Sequence, residues 1–143
     1  MRWLALDVGS RRVGAAICDA QERVATALEA FAFDGPEGVA ESVAALVGFW
    51  EADGVVVGVP HTRSGEGRGE RRTSAVVSAL RARLAVPVEI ADERATTAIA
   101  EGLLAEASVP RRRWRDLVDS LAARLILENF LAARSPGRSG TSR

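Results

Sequence analysis

The sequence predicts one α/β domain: a five-stranded mixed sheet, a three-strand antiparallel meander plus two parallel strands, with helices on both faces. Three observations predict it. The chain opens on three apolar runs separated by tight turns, the pattern of a strand meander. After that, helical apolar spacing alternates with short continuous apolar runs, the pattern of crossover units. Finally, 143 residues with 48% hydrophobic and 27% charged side chains are the length and composition of one ordinary globular domain.

The elements follow in order. Trp3 to Val8 reads as a buried strand interrupted by Asp7, and Gly9-Ser10-Arg11 as a tight turn. Val13 to Cys18 is a second strand that pairs antiparallel with the first, and Val24 to Phe33 a weaker third. Pro36 to Trp50 carries apolar residues at Val39, Val43, Leu46, Val47 and Trp50, which is helical spacing. Gly54 to Val59 is Val-rich, suited to a sheet covered on both faces. His61 to Gly69 reads as a loop, Glu70 to Leu84 as a helix, and Val86 to Ile90 as the fifth strand. Thr96 to Glu106 and Pro110 to Ala133 are the last helices. Residues 1–133 form the domain, and 134–143 an Arg/Ser/Gly tail whose composition predicts disorder.

Composition excludes several classes. No apolar run is long enough to span a bilayer, and the first residues reach Asp7 too soon for a secretory core. A single cysteine, Cys18, cannot make an internal disulfide; a cytoplasmic protein without membrane contact is expected. Charges balance at 19 against 19, and every cation is Arg. Without the last ten residues, 16 Arg face 19 acids, so any nucleic-acid surface must be a local patch.

Three sets of acids sit where apolar residues would be easier to bury. Asp7 interrupts a core strand, Asp92 and Glu93 follow another, and Asp119 lies inside the last helix. Ala122, Ala123 and Ile126 share its helical face, so Asp119 points inward, and the small residues let the helix approach the sheet. Ligands in such folds collect at the carboxyl ends of strands. Converging carboxylates there select a hard cation, Mg²⁺ or Mn²⁺, and a pair of ions suits phosphodiester cleavage. The same residues also suit plainer roles: Asp7 as a turn former, Asp92-Glu93 as the acidic start of a helix, Asp119 as an ion-pair partner.

Four segments resemble the motifs of the YqgF/RuvX family, RNase H-like nucleases related in fold to the RuvC Holliday junction resolvases. They are Asp7-Val8-Gly9-Ser10-Arg11-Arg12-Val13-Gly14, Gly58-Val59-Pro60 with its Gly-rich loop, Asp92-Glu93-Arg94-Ala95-Thr96-Thr97, and Asp119-Ser120-Leu121-Ala122-Ala123. They stand in the family's order and span nearly the whole domain. The resemblance implies an RNase H-like fold and a metal-dependent catalytic site at Asp7, Glu93 and Asp119. It also implies action on nucleic acid: the 5′ end of pre-16S ribosomal RNA, or alternatively branched DNA. The family usually has Lys where this chain has Arg11, Asn and Asp where it has Thr62 and Ser64, and an apolar residue at His61.

If the Gly54 to Val59 strand lies between the other two, Asp7 and Glu93 start roughly 10 Å apart at the backbone. Glu reaches further than Asp, which favours Glu93 over Asp92; neighbours in a strand point to opposite faces, so one of the two faces the site. His61 reads as a loop residue, and Asp116 as a first-turn acid that can also share the face of Asp119. For nucleic-acid contact, Arg11 and Arg12 flank the first turn, Arg68, Arg71 and Arg72 fall at helical spacing, and Arg111, Arg112 and Arg113 surround the last helix start. Arg115 extends that last cluster, and a solvated basic face is the alternative there. Trp114 is either a nucleic-acid contact or an anchor. An actin-like phosphotransferase needs a second such domain, and the P-loop signature is missing. A non-catalytic RNA-binding assembly factor remains the alternative from another class. Either a monomer or a homodimer is compatible, with Trp50 or Trp114 as anchors.

Overall fold

The computed structural model describes residues 1–60, 67–93 and 96–134; the side chains of Pro60, Glu93, Thr96, Thr97 and Asp116 also lie outside the description. The strands are β1 (Trp3–Val8), β2 (Arg12–Cys18), β3 (Ala25–Ala32), β4 (Gly54–Pro60) and β5 (Val88–Glu93). The helices are α1 (Gly35–Trp50), α2 (Arg68–Arg83), α3 (Thr96–Glu106) and α4 (Trp114–Arg134), the last preceded by a 3₁₀ turn at Arg111–Arg113. They form the expected mixed sheet, in the order β3-β2-β1-β4-β5. The meander is antiparallel, and β4 runs parallel to both β1 and β5.

Strand alternation splits the core in two. Leu4, Leu6 and Val8 of β1 face α1 and α2, packing with Val39, Val43, Val76 and Leu80. Trp3 and Ala5 face the other way, against Ala123, Ile126 and Leu127 of α4. The central strands are therefore buried on both sides and apolar almost throughout. On the outer side of α4, α3 contributes the buried residues Ala100 and Leu104.

Local chemistry sets the ends. Pro36 starts α1, where its missing N–H costs nothing, and Glu51 ends it in the left-handed conformation at φ 55°. The Gly67 amide donates to the Glu70 carboxylate at the start of α2, 3.3 Å away. At its end the Arg81 guanidinium donates to the Val88 carbonyl at 2.8 Å, tying α2 to β5.

Three boundaries differ most from the sequence expectation: the last helix, expected from Pro110, starts at Trp114 behind the 3₁₀ turn Arg111–Arg113. β5 begins at Val88 and continues through Asp92 and Glu93, because β4 extends alongside it to the pair Pro60–Glu93. Helix α2 begins two residues earlier than expected, at Arg68. The remainder of the expected loop, 61–66, including His61, lies outside the described residues. So does the tail from 135 onward; Arg134 itself is the last residue of α4.

Arg134 closes the open side of the smaller core. Its guanidinium stacks over Trp3 at 5.0 Å and donates to the Glu22 carboxylate at 3.1 Å, which also receives the N-terminal ammonium. The hydrogen bond from Arg134 above all holds the Glu22 carboxyl below its ordinary value of 4.5. The sign follows: this stabilisation is complete above the unfolded value and is lost as pH falls through the lower folded one. Glu22→Gln should therefore lower the thermal midpoint at pH 7, and the gap to the wild type should narrow as the pH is taken below 4.5 in a thermal-unfolding series. A gap independent of pH would contradict the ion pair.

Candidate active site

Asp7 occupies the face of β1 that carries Trp3 and Ala5, so it points toward α4. On either side it is paired with a glycine: Gly14 of β2 and Gly58 of β4. Both are spaces that α4 fills. A β-carbon on Gly14 would overlap the backbone carbonyl of Asp119 and come within 2.9 Å of the Ser120 amide nitrogen. A β-carbon on Gly58 would lie 2.5 Å from Cδ1 of Ile126. The backbone of Asp119 therefore rests on β2 at the residue paired with Asp7. Cα atoms paired across an antiparallel ladder are about 4.5–5.5 Å apart, so the two aspartates, distant in sequence, become neighbours.

Both aspartates are half-buried. Burial pushes the Asp119 carboxyl above the ordinary aspartate value, and the Arg12 guanidinium partly offsets this. Ala122 and Ala123, on the face expected to turn inward, are fully buried.

The register separates Asp92 from Glu93. Asp92 shares the parity of Val88, which packs on the α1/α2 side, and is exposed. Position 93 shares the parity of Ala91, which packs on the α4 side. Ala91 is level with Gly58 and hence with Asp7. Glu93 is thus two strands across and two residues further along, roughly 12 Å from Asp7 at the backbone. That is further than the roughly 10 Å the sequence predicts, because the register staggers the two. The Glu93 and Asp116 side chains lie outside the described residues. Among those described, no three His, Cys, Asp or Glu side chains form a metal-binding group. The donor chemistry at Asp7 and Asp119 nonetheless fits a hard divalent cation. Asp7 of β1 and Asp119 of α4 stand on neighbouring elements at the C-terminal edge of the sheet, and burial pushes the Asp119 carboxyl toward protonation, a cost that a bound cation would remove.

Beside Asp119 opens a cleft of about 570 Å³, lined by Arg11, Arg12, Arg115 and Phe31 among others. The turn at its mouth is closed by the Gly9 amide donating to the Arg12 carbonyl at 2.8 Å. Arg111, Arg112 and Arg113 are exposed just before α4, on the same side of the sheet. Trp114 is an anchor: its indole N–H donates to the Val109 carbonyl at 2.9 Å, and Arg111 covers its ring at 4.6 Å. Arg68, Arg71 and Arg72 start α2 on the opposite face, so the described structure does not bring them into this cleft. Cys18 is buried, with its thiol pushed up by that burial and its Sγ accepting from the Trp3 amide at 3.2 Å.

Sequence reasoning saw the small residues of the helix but not Gly14, the space they require on the sheet. The signal was the glycine inside an otherwise apolar strand. Arg115 was visible only as part of the basic cluster, and Phe31 as a strand residue.

A family model described as RuvX, Holliday junction resolvase, matches residues 1–133. The chain is 39% identical over 140 residues to a protein of Desulforudis audaxviator named "Putative pre-16S rRNA nuclease", covering 97% of this chain and 99% of that one. A Listeria monocytogenes protein of the same name is also 39% identical, over 139 residues, with coverages of 92% and 97%. Among solved structures, Thermus thermophilus RuvC bound to a Holliday junction substrate superposes with a TM-score of 0.60 at 15% identity, covering 95% of this chain and 96% of that one. The fowlpox virus Holliday junction resolvase gives 0.58 at 12%, with coverages of 93% and 99%. Fold and family together define an RNase H-like nuclease, a hydrolytic enzyme. More particularly, the chain belongs to the RuvX family.

Gly14→Ala should displace α4 from Asp7. Overpacking against a backbone carbonyl should cost about 1–3 kcal/mol in denaturant unfolding. The same substitution at Gly48, which has nothing within 4 Å, is the control. Equal stabilities for the two variants would contradict the close seating of α4.

Proposed function

We propose that this chain is a divalent-metal-dependent phosphodiesterase that processes the 5′ end of pre-16S ribosomal RNA, with Asp7, Asp119 and Glu93 as its catalytic carboxylates. The observation that carries the reading is the seating of the α4 backbone at Asp119 on Gly14, the residue paired with Asp7, beside a cleft that Arg11, Arg12 and Arg115 line. The names of the relatives support the choice of RNA, and an RNA-processing enzyme works in the cytoplasm.

Asp7 and Asp119, joined by Glu93, would hold one or two Mg²⁺ or Mn²⁺ ions. When bound, such ions lower the pKa of a coordinated water and offset charge on the phosphate. The protein's own share is placement. Strand β1 presents Asp7, and α4 brings Asp119 over Gly14. Arg11 and Arg115 at the cleft give guanidinium partners for phosphates flanking the one to be cut. Arg111, Arg112 and Arg113 extend this surface along the backbone of the substrate, and Arg68, Arg71 and Arg72 make a separate contact on the α2 side.

The test is a cleavage assay on a single-stranded RNA with a precursor-like 5′ extension and, in parallel, a four-way DNA junction. Each is run with EDTA, Mg²⁺ or Mn²⁺. Metal-dependent RNA cutting that falls at least about 100-fold in Asp7→Asn supports the reading. Paired nicks in the junction would instead assign the family's resolvase activity, which needs two sites and therefore a homodimer; RNA cutting needs only a monomer. No Asp7-dependent cutting of either would favour a non-catalytic RNA-binding factor. Separately, replacing Arg111, Arg112 and Arg113 with Gln should weaken RNA binding without regard to sequence. It should reduce the slope of log affinity against log salt by up to about 3. An unchanged slope would return these residues to a solvated face.

A further inference from the structure

Arg11 and Arg12 look equivalent in sequence, but the structure uses them differently. The α4-facing row of β2 is Arg12, Gly14, Ala16 and Cys18. Along this row α4 lies close, and Arg12 stands at its open end. Its Nη1 donates to the backbone carbonyl of Arg115 at 3.4 Å. In a regular helix that carbonyl also accepts the N–H of Asp119, four residues on. Arg12 itself lines the cleft together with Arg115 and Asp119. Arg12 is half-buried, whereas Arg11 is exposed.

General surface electrostatics does not explain this arrangement. The start of α4 already carries Arg111, Arg112, Arg113 and Arg115 at the positive end of the helix dipole, where one more cation is disfavoured. Drawing Arg12 there makes sense only through specific partners, and the Arg115 carbonyl and Asp119 are such partners. Both concern the one turn whose position decides where Asp119 stands relative to Asp7.

We propose that Arg12 is a positioning residue: its guanidinium straps the first turn of α4 to β2 and so sets the place of Asp119, leaving Arg11 as the phosphate contact of the pair. Its consequence for catalysis rests on the reading of Asp7 and Asp119 as the reaction centre; the strap itself does not.

The two residues are separated by comparing Arg12→Ala, Arg12→Lys and Arg11→Ala. Amide hydrogen exchange is read across residues 115–121, and steady-state kinetics on the RNA substrate. Arg12→Ala should speed exchange across that turn by at least about 5-fold. It should lower kcat about 100-fold, the usual cost of a misplacement of about 1 Å, with KM little changed. Arg12→Lys, which keeps a charged donor, should recover part of both. Arg11→Ala should leave exchange at 115–121 as in the wild type and raise KM. Unchanged exchange in Arg12→Ala, together with a raised KM and retained kcat, would overturn the proposal and make Arg12 a phosphate contact. Should Arg12→Ala fail to fold, Arg12→Lys carries the comparison, and wild-type exchange and kcat in it together with Arg12→Gln would overturn the strap. If the wild type neither cuts nor binds RNA, the nuclease reading fails, and the exchange data still decide whether the strap exists.

Discussion

The site depends on one close approach: the backbone of α4 at Asp119 against Gly14 of β2. A helix packed on a sheet ordinarily stands off by the length of the side chains between them. Here β2 presents Gly14 and Ala16, and α4 presents Ala122 and Ala123, so the separation collapses. That geometry sets Asp119 of the helix on the residue paired with Asp7 of the central strand. A single added methyl at Gly14 acts on backbone rather than on a flexible side chain, and so displaces the stretch of α4 that carries Asp119.

That approach carries an electrostatic cost. Asp119 is brought into a half-buried position beside a second acid, and desolvation raises its carboxyl pKa. Arg12 offsets part of that cost from below the helix. Such local conflict between burial and charge is what a functional site looks like in an otherwise consistent fold. The larger core, between the other sheet face and α1 and α2, is built from aliphatic side chains such as Leu4, Leu6, Val43, Val57 and Leu80.

The family relation fits this division. Relatives at 39% identity run the length of the chain, while solved resolvases at 15% and 12% keep the same fold. A sheet whose strands pair as they do here, with one helix laid across its carboxyl edge, can be retained while the residues lining the adjacent cleft change. In this chain the cations lining that cleft, Arg11, Arg12 and Arg115, are all arginines, and the sequence contains no lysine. Each cationic contact there is a planar, two-pronged donor, suited to phosphate.

Much of this was legible in the sequence by itself. The period of the apolar residues placed every strand and helix, because that period is a local property of the chain. Asp119 was readable as inward-facing from Ala122, Ala123 and Ile126, and Asp7 as an acid in a core strand, for the same reason. Tertiary structure decided what depends on pairing between distant segments. The register of β4 with β5 carried the fifth strand through Glu93, turned Asp92 to the α2 side, and staggered position 93 beyond Asp7. The seating of α4 gave Gly14 its meaning and separated Arg12 from Arg11. Register and helix seating are set by contacts between residues far apart in the chain, and no local pattern encodes them.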